Sequence, residues 1–194
     1  NQLMHCLRRN LDINVLMFNN QIYGLTKGQY SPTSELGKVT KSTPFGSADQ
    51  PMDPSAFALG ANGTFVARSI DTEAQHLSDM LRRAAKHAGT AFLEIYQNCN
   101  VFNDGAFDVF TDRAVKAERQ VRLQHGKPLI FGANGDKGLR LDSRTLTLDV
   151  VRLGENGVSA ADVLVHDEKN ATLAYMLARM PFPEFPVALG VLYA

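Results

Sequence analysis

The chain has 194 residues, 44% of them hydrophobic, with 20 basic and 20 acidic side chains. That is one ordinary domain, or one domain plus a sizeable extension, with enough apolar residues for a packed core. Zero net charge gives no electrostatic ground for nucleic acid or an anionic membrane as partner, and no apolar run approaches the ~18 residues of a membrane span.

In chain order, NQLMHCLRRN reads as the middle of a helix, with Leu3, Met4 and Leu7 on one face and Arg8 and Arg9 suiting its C-terminal end. A chain that opens inside a helical pattern, without Met or a signal peptide, is expected to be a fragment or a processed product. Residues 12–18 read as a buried parallel strand, because Ile13, Val15, Leu16, Met17 and Phe18 run almost without interruption. The run breaks at Asn19, Asn20 and Gln21, and a glycine-bearing loop follows to Gln29. The carboxyl end of such a strand is where open α/β sheets bind ligands. Residues 31–53 are rich in Ser, Thr, Gly and Pro, and long loops of this kind are functional or disordered.

Pro54–Gly60 reads as a short helix with Pro at its start. TFVARSI, residues 64–70, alternates like a strand. Asp71 or Thr72 is expected to cap a helix running to about His87, with Ala74, Leu77, Leu81 and Ala84/Ala85 on its apolar face and Gly89 ending it. TAFLEIY, residues 90–96, is a further buried strand. Strand, helix, strand, helix, strand is the pattern of an α/β parallel sheet.

The rest differs in character. Residues 97–108 form a polar loop holding Cys99, and residues 111–124 look helical. Residues 127–154 carry β-like pieces, LIFG and TLTLDVV, around the turn Asn134-Gly135. Residues 170–180 look helical and Val187–Tyr193 reads as a last strand. The expected organisation is a domain over 1–98 and a mixed α+β extension over 99–194.

Two cysteines, Cys6 and Cys99, make no disulfide framework and suit a reducing, cytoplasmic setting. Asn20 is the first candidate for chemistry. Mg²⁺ takes hard oxygen ligands, and an Asn side-chain oxygen and the carbonyl of Ile22 can face one point where a strand unwinds. On residue type alone, a plain turn made by Asn19 and Asn20 is the simpler reading. Asp104 and Asp108 in NDGAFD resemble a metal loop only loosely and read as a turn. His125 reads as a helix-terminal His before a Gly turn. GANGDKG lacks the Lys-Ser/Thr of a P-loop and reads as a hairpin tip. His166-Asp167-Glu168 reads as a solvated polar stretch.

FNNQIYGLTKGQYSPTS, then KVTKSTPFG, and later EIYQNCNVFNDGAFD closely resemble the thiamine-diphosphate-binding β subunit of the 2-oxoacid:ferredoxin oxidoreductases, nearest the 2-oxoglutarate type. LRRNLDINVL, TFVARSIDT and HGKPLIFG extend the resemblance, which weakens after about Gly154. It implies part of a parallel-sheet thiamine-diphosphate fold. It also implies oxidative decarboxylation of a 2-oxoacid to acyl-coenzyme A and CO₂, with electrons passed through a [4Fe–4S] cluster to ferredoxin. By the resemblance, Asn20 ligates Mg²⁺ through its side chain and Ile22 through its carbonyl. Gly24, Leu25 and Thr26 line the cofactor's diphosphate and thiazolium, and Lys27 sits near the reacting 2-oxoacid. Cys99 is the fourth cluster ligand. The partner is an α subunit, which supplies the activating Glu.

The sequence departs from the family in two places. The Gly-Asp-Gly stretch that carries the acidic Mg²⁺ ligand is not in it, and neither are the Cys-x-x-Cys pair and third cysteine. Only half a metal site and one cluster ligand are therefore expected in this chain. Two other readings stay open: a thiamine-dependent decarboxylase or synthase without ferredoxin, and an inactive fragment serving as a folded interaction domain.

Overall fold

The computed structural model describes residues 2–194, which divide into two compact units, the first ending at Asp108 and the second spanning Val109–Ala194. The first unit is built on three parallel strands, β1 (Asn14–Asn19), β2 (Phe65–Ile70) and β3 (Ala91–Tyr96), with β3 in the centre. Helix α1 (Gln2–Arg9) precedes them, with Leu7 fully buried. The chain turns out of α1 at Asn10, whose side-chain oxygen accepts from Thr90 N at 2.9 Å and from the Thr64 hydroxyl at 2.7 Å. That carboxamide fills the space a Cβ at Gly89 would need, and Gly89 itself has φ +125°, so glycine is required there.

Helix α2 (Pro54–Gly60) starts as expected, with Pro54 in its first turn and Asp53 accepting from Ala56 N at 2.8 Å. Three expectations for this unit need correction. Strand β1 is not buried along its length: Leu16 and Phe18 are exposed and of its six residues only Asn19 is buried, because β1 is an edge strand beside β3. Strand β2 does not alternate: all six residues are buried, Arg68 and Ser69 included, because a parallel sheet is covered on both faces, and α2 and α3 pack against this strand. Helix α3 (Ala74–Lys86) is capped by neither Asp71 nor Thr72. Glu73 occupies the N-cap and makes no side-chain cap bond, while the Asp71 carboxylate takes Asn98 N. The buried stripe of α3 centres on Met80 and Ala84, and Ala74 and Ala85 face out.

Between β1 and α2 the long loop has no helix or strand, but it is tied to itself. Ser47 N donates to Lys38 O, Gly37 N to Ser47 O, and Ser31 N to the Ser34 hydroxyl at 2.8 Å.

In the second unit the helix expected over residues 111–124 is absent. The chain makes two single turns, α4 (Asp108–Thr111) and α5 (Lys116–Arg119), and then strand β4 (Gln120–Leu123). Strand β4 runs parallel to β8 (Val187–Tyr193), so tertiary pairing overrides a weak local helical pattern. Strands β5 (Ile130–Phe131), β6 (Lys137–Asp142) and β7 (Thr147–Arg152) form an antiparallel sheet, with Gly132–Gly135 as the tip expected of GANGDKG. Helix α6 (Ala171–Ala178) is capped by Asn170, whose side chain accepts from Leu173 N at 3.0 Å. Among the described residues no helix is long and apolar enough to cross a membrane.

Candidate functional site

Strand β1 ends at the site. Asn19 is its last residue, and its side chain is buried. Its Nδ2 donates to Glu94 Oε1 at 2.8 Å, and its Oδ1 accepts from the Thr33 hydroxyl at 2.7 Å and from Gln21 N at 3.2 Å. Asn20 comes next and is half-buried, and its Oδ1 accepts from Ile22 N at 3.2 Å. The two carboxamides thus fold the backbone over two consecutive turns, which lets Gln21 hold φ +55°. The Gln21 carbonyl is held by the Ser34 hydroxyl, and the Asn20 carbonyl by Asn103 Nδ2 at 3.0 Å. The Ile22 carbonyl accepts no hydrogen bond from the described residues, although Ile22 is only 4% exposed.

Residues 23–29 close into a small loop by the bridge between Tyr23 and Gln29. Gly24 is half-buried, Leu25 and Lys27 are exposed, and the exposed Thr26 hydroxyl donates to Tyr23 O at 3.3 Å. Lys27 has φ +68° and Gly28 φ +92°, and a Cβ at Gly28 would come within 2.8 Å of the Phe102 ring. Glycine therefore lets the loop touch the Cys99–Asn103 turn, where Cys99 Sγ lies 3.8 Å from the position of a Cβ on Gly24. Lys27, Lys38 and Lys41 line one cavity of ≈ 510 Å³ with Ile22 and Phe102. Lys38 Nζ donates to Asn103 Oδ1 at 2.8 Å and pairs with Glu35 at 3.3 Å. Every sequence-derived site residue from Asn20 to Lys27 thus lies on one loop, and Cys99 lies against it.

Sequence reasoning missed the groups that anchor this loop. Glu94 and Arg68 are paired in the β2–β3 register, and Glu94 Oε2 accepts from Arg68 Nε at 2.9 Å and from the Ser55 hydroxyl at 2.6 Å. Arg68 also reaches Asp53 at 3.5 Å and lies 5.6 Å over the Tyr96 ring. Burial works against the Arg68 charge, but the surrounding oxygens of Tyr96, Glu94 and Asp53 more than offset it and keep the guanidinium fully charged. Burial likewise pushes the Tyr96 phenol above its ordinary range, against the pull of Arg68. The signal was in the sequence: TFVARSI and TAFLEIY each place one charge inside an apolar run, and opposite charges on two buried strands need each other.

The remaining candidates are structural. Asp104 accepts from Asn98 Nδ2 at 2.7 Å in a turn. The Asp108 carboxylate lies beside Gly105. His125 follows strand β4, not a helix, and its ring nitrogen accepts from Glu168 N at 3.2 Å. His166 and Glu168 are not solvated as expected. His166 is fully buried with Nε2 on the Val191 carbonyl at 2.8 Å, and only Asp167 of the three stays half-exposed. Among the described residues no three His, Cys, Asp or Glu side chains gather as a metal group.

Residues 1–95 match the family described as thiamine pyrophosphate enzyme, C-terminal TPP binding domain. The chain is 47% identical over 178 residues to the 2-oxoglutarate oxidoreductase subunit KorB of Mycobacterium tuberculosis, a match covering 92% of this chain and 46% of that protein. By sequence, this chain is a relative of the 2-oxoacid:ferredoxin oxidoreductase β subunits. The β subunit of the 2-oxoacid:ferredoxin oxidoreductase of Saccharolobus solfataricus is 41% identical over 108 residues, covering 56% of this chain and 35% of that protein. The chain spans about half or less of the length of the curated relatives it matches. In fold it resembles a 2-oxoglutarate:ferredoxin oxidoreductase from Magnetococcus marinus, solved with 2-oxoglutarate, coenzyme A and succinyl-CoA bound. There the TM-score is 0.68 at 24% identity, over 99% of this chain and 50% of that one. The α/β fold expected from the strand and helix pattern is borne out.

The donors of the loop fit part of a thiamine-diphosphate–Mg²⁺ site. A carboxamide oxygen and a carbonyl without a hydrogen bond are the hard, neutral ligands a magnesium ion accepts. No carboxylate lies in residues 13–30. For a cluster this chain offers one thiol beside the loop, a quarter of the ligand set, since Cys6 lies on α1.

Proposed function

We propose that this chain is the cofactor-holding portion of the β subunit of a 2-oxoacid:ferredoxin oxidoreductase acting on 2-oxoglutarate. In this reading residues 1–98 belong to the thiamine-diphosphate domain and residues 99–194 form its extension. Asn20 Oδ1 and the Ile22 carbonyl ligate Mg²⁺, and Gly24, Leu25 and Thr26 line the diphosphate and thiazolium. Bound thiamine diphosphate supplies the electron sink that lets a 2-oxoacid lose CO₂. Lys27 is the catalytic cation that holds the oxoacid's carboxylate or its developing negative charge. The single observation that carries the reading is the Ile22 carbonyl, without a hydrogen bond from the described residues, beside Asn20 just after the carboxyl end of a parallel strand. The three lysines around one cavity suit an anionic substrate.

Cys99 contributes one thiolate to a [4Fe–4S] cluster whose other ligands come from outside this chain. An α subunit completes the site, ferredoxin takes the electrons, coenzyme A takes the acyl group, and the setting is the reducing cytoplasm. Assays of the full-length subunit with its partner test this. Ferredoxin reduction that requires both 2-oxoglutarate and coenzyme A is expected. Decarboxylation without ferredoxin reduction identifies a thiamine decarboxylase or synthase instead, and neither activity identifies an interaction domain. Cys99→Ala is expected to bleach the iron–sulfur absorbance and leave thiamine bound. An unchanged cluster spectrum contradicts the assignment of Cys99.

A further inference from the structure

We propose that Glu94 is a positioning residue for the metal-binding turn, acting through Asn19. The inference rests on the thiamine–Mg²⁺ reading of Asn20 and Ile22. Glu94 is 1% exposed and sits on the central strand, two register positions before Tyr96, the partner of Asn19. It lies diagonally across from Asn19 on the same sheet face, within reach of its carboxamide. One carboxylate oxygen receives Asn19 Nδ2, and the other receives Arg68 Nε and the Ser55 hydroxyl.

The bond to Glu94 fixes which way round the Asn19 carboxamide lies. With Nδ2 committed to a carboxylate, Oδ1 must face the other way, and there it accepts from Gln21 N and the Thr33 hydroxyl. Gln21 is the left-handed residue that carries the chain from the Asn20 side chain to the Ile22 carbonyl. A flipped or mobile Asn19 would point an NH₂ group at the Gln21 amide, donor against donor, and the turn would open. Arg68 and Ser55 hold Glu94 in place, as outer groups orient metal ligands elsewhere.

A purely structural role for the pair differs in outcome. A purely structural ion pair matters only when half of it is lost, because an uncompensated buried charge destabilises a fold, while replacing both members by apolar side chains of similar volume does not. Glu94→Gln and the double variant Arg68→Met/Glu94→Met therefore separate fold from positioning. The double variant has no acceptor for Asn19 but also no stranded charge.

The test uses the full-length subunit assembled with its partner, with thermal melting and equilibrium dialysis of thiamine diphosphate in the presence of Mg²⁺. Glu94→Gln is expected to lower the melting temperature by about 10 °C. The double variant leaves Asn19 Nδ2 and the buried Ser55 hydroxyl without their acceptor, so it is expected to melt a few degrees below wild type, and to bind the cofactor about tenfold more weakly, with kcat at saturating cofactor little changed. Asn19→Ala is expected to show the same weakening, and adding it to the double variant to produce no further loss. Wild-type affinity in the double variant overturns the inference and leaves a structural ion pair. If the wild-type assembly itself binds no thiamine diphosphate, the underlying reading of Asn20 and Ile22 fails instead.

Discussion

The two units bury different things. The interior of residues 2–108 contains Asn19, Arg68, Ser55, Ser69, Thr90 and Glu94, all under 9% exposed and each hydrogen-bonded, with Asn19, Ser55 and Arg68 bonded to Glu94 itself. The interior of Val109–Ala194 is mostly hydrocarbon, with Leu129, Leu139, Leu177, Leu189 and Leu192 fully buried and Gln120, His166 and Glu168 as its polar exceptions. A polar interior specifies geometry, because each group has few acceptable partners and an unmet one is costly. An apolar interior tolerates exchange if volume is kept. The loop that carries Asn20 and Lys27 grows out of the polar interior.

The sharpest break of this contrast is Arg68→Ala. It strands Glu94 in a dry site, and a loss of about 3–5 kcal/mol in urea unfolding is expected. The corresponding change in the apolar unit is Leu177→Ala. It is expected to cost about 2–5 kcal/mol by opening a cavity, while leaving thiamine diphosphate affinity unchanged. If Leu177→Ala weakens cofactor binding as much as Arg68→Ala, the division of labour between the units is wrong.

A smaller effect comes from His166. Burial holds its imidazole below the ordinary value of 6.5, opposed by the Val191 carbonyl, while Glu168 and Asp167 favour the charge and His125 disfavours it. The unfolded chain therefore takes up this proton first as pH falls. The contribution of His166 to stability is complete above 6.5 and declines as pH drops through 6.5 toward the lower folded value. Unfolding measured from pH 8 to pH 5 should show that decline, and His166→Gln should flatten it. A decline of equal size in both proteins would assign it to other groups.

Much of this architecture was legible from residue order. The apolar runs before Asn19 and through Phe92–Ile95 named the parallel strands, Pro54 marked the start of α2, and Asn170 marked the start of α6. Strand β4 was not legible, because only its pairing with β8 makes it a strand. Strand β6 was hidden by its Gly, Lys and Arg residues, which sit on a short antiparallel sheet with one wet face. The burial of His166 was hidden by the charged pair that follows it. At the site, the loop residues could be named from their resemblance to a family. What supports them could not, since Glu94 and Arg68 meet only once β2 and β3 are in register.

The most direct test of the thiamine–magnesium reading is the affinity of Asn20→Ala for its cofactor. Thiamine diphosphate and Mg²⁺ binding would be measured by equilibrium dialysis on the full-length subunit assembled with its partner. Asn20 is half-buried and, among the described residues, its side chain bonds only the Ile22 amide two residues on, so the fold should survive. The expected result is an unchanged melting temperature with affinity for both ligands reduced about tenfold or more. Wild-type affinity for both ligands in a folded Asn20→Ala protein would contradict the assignment of this loop as the metal site.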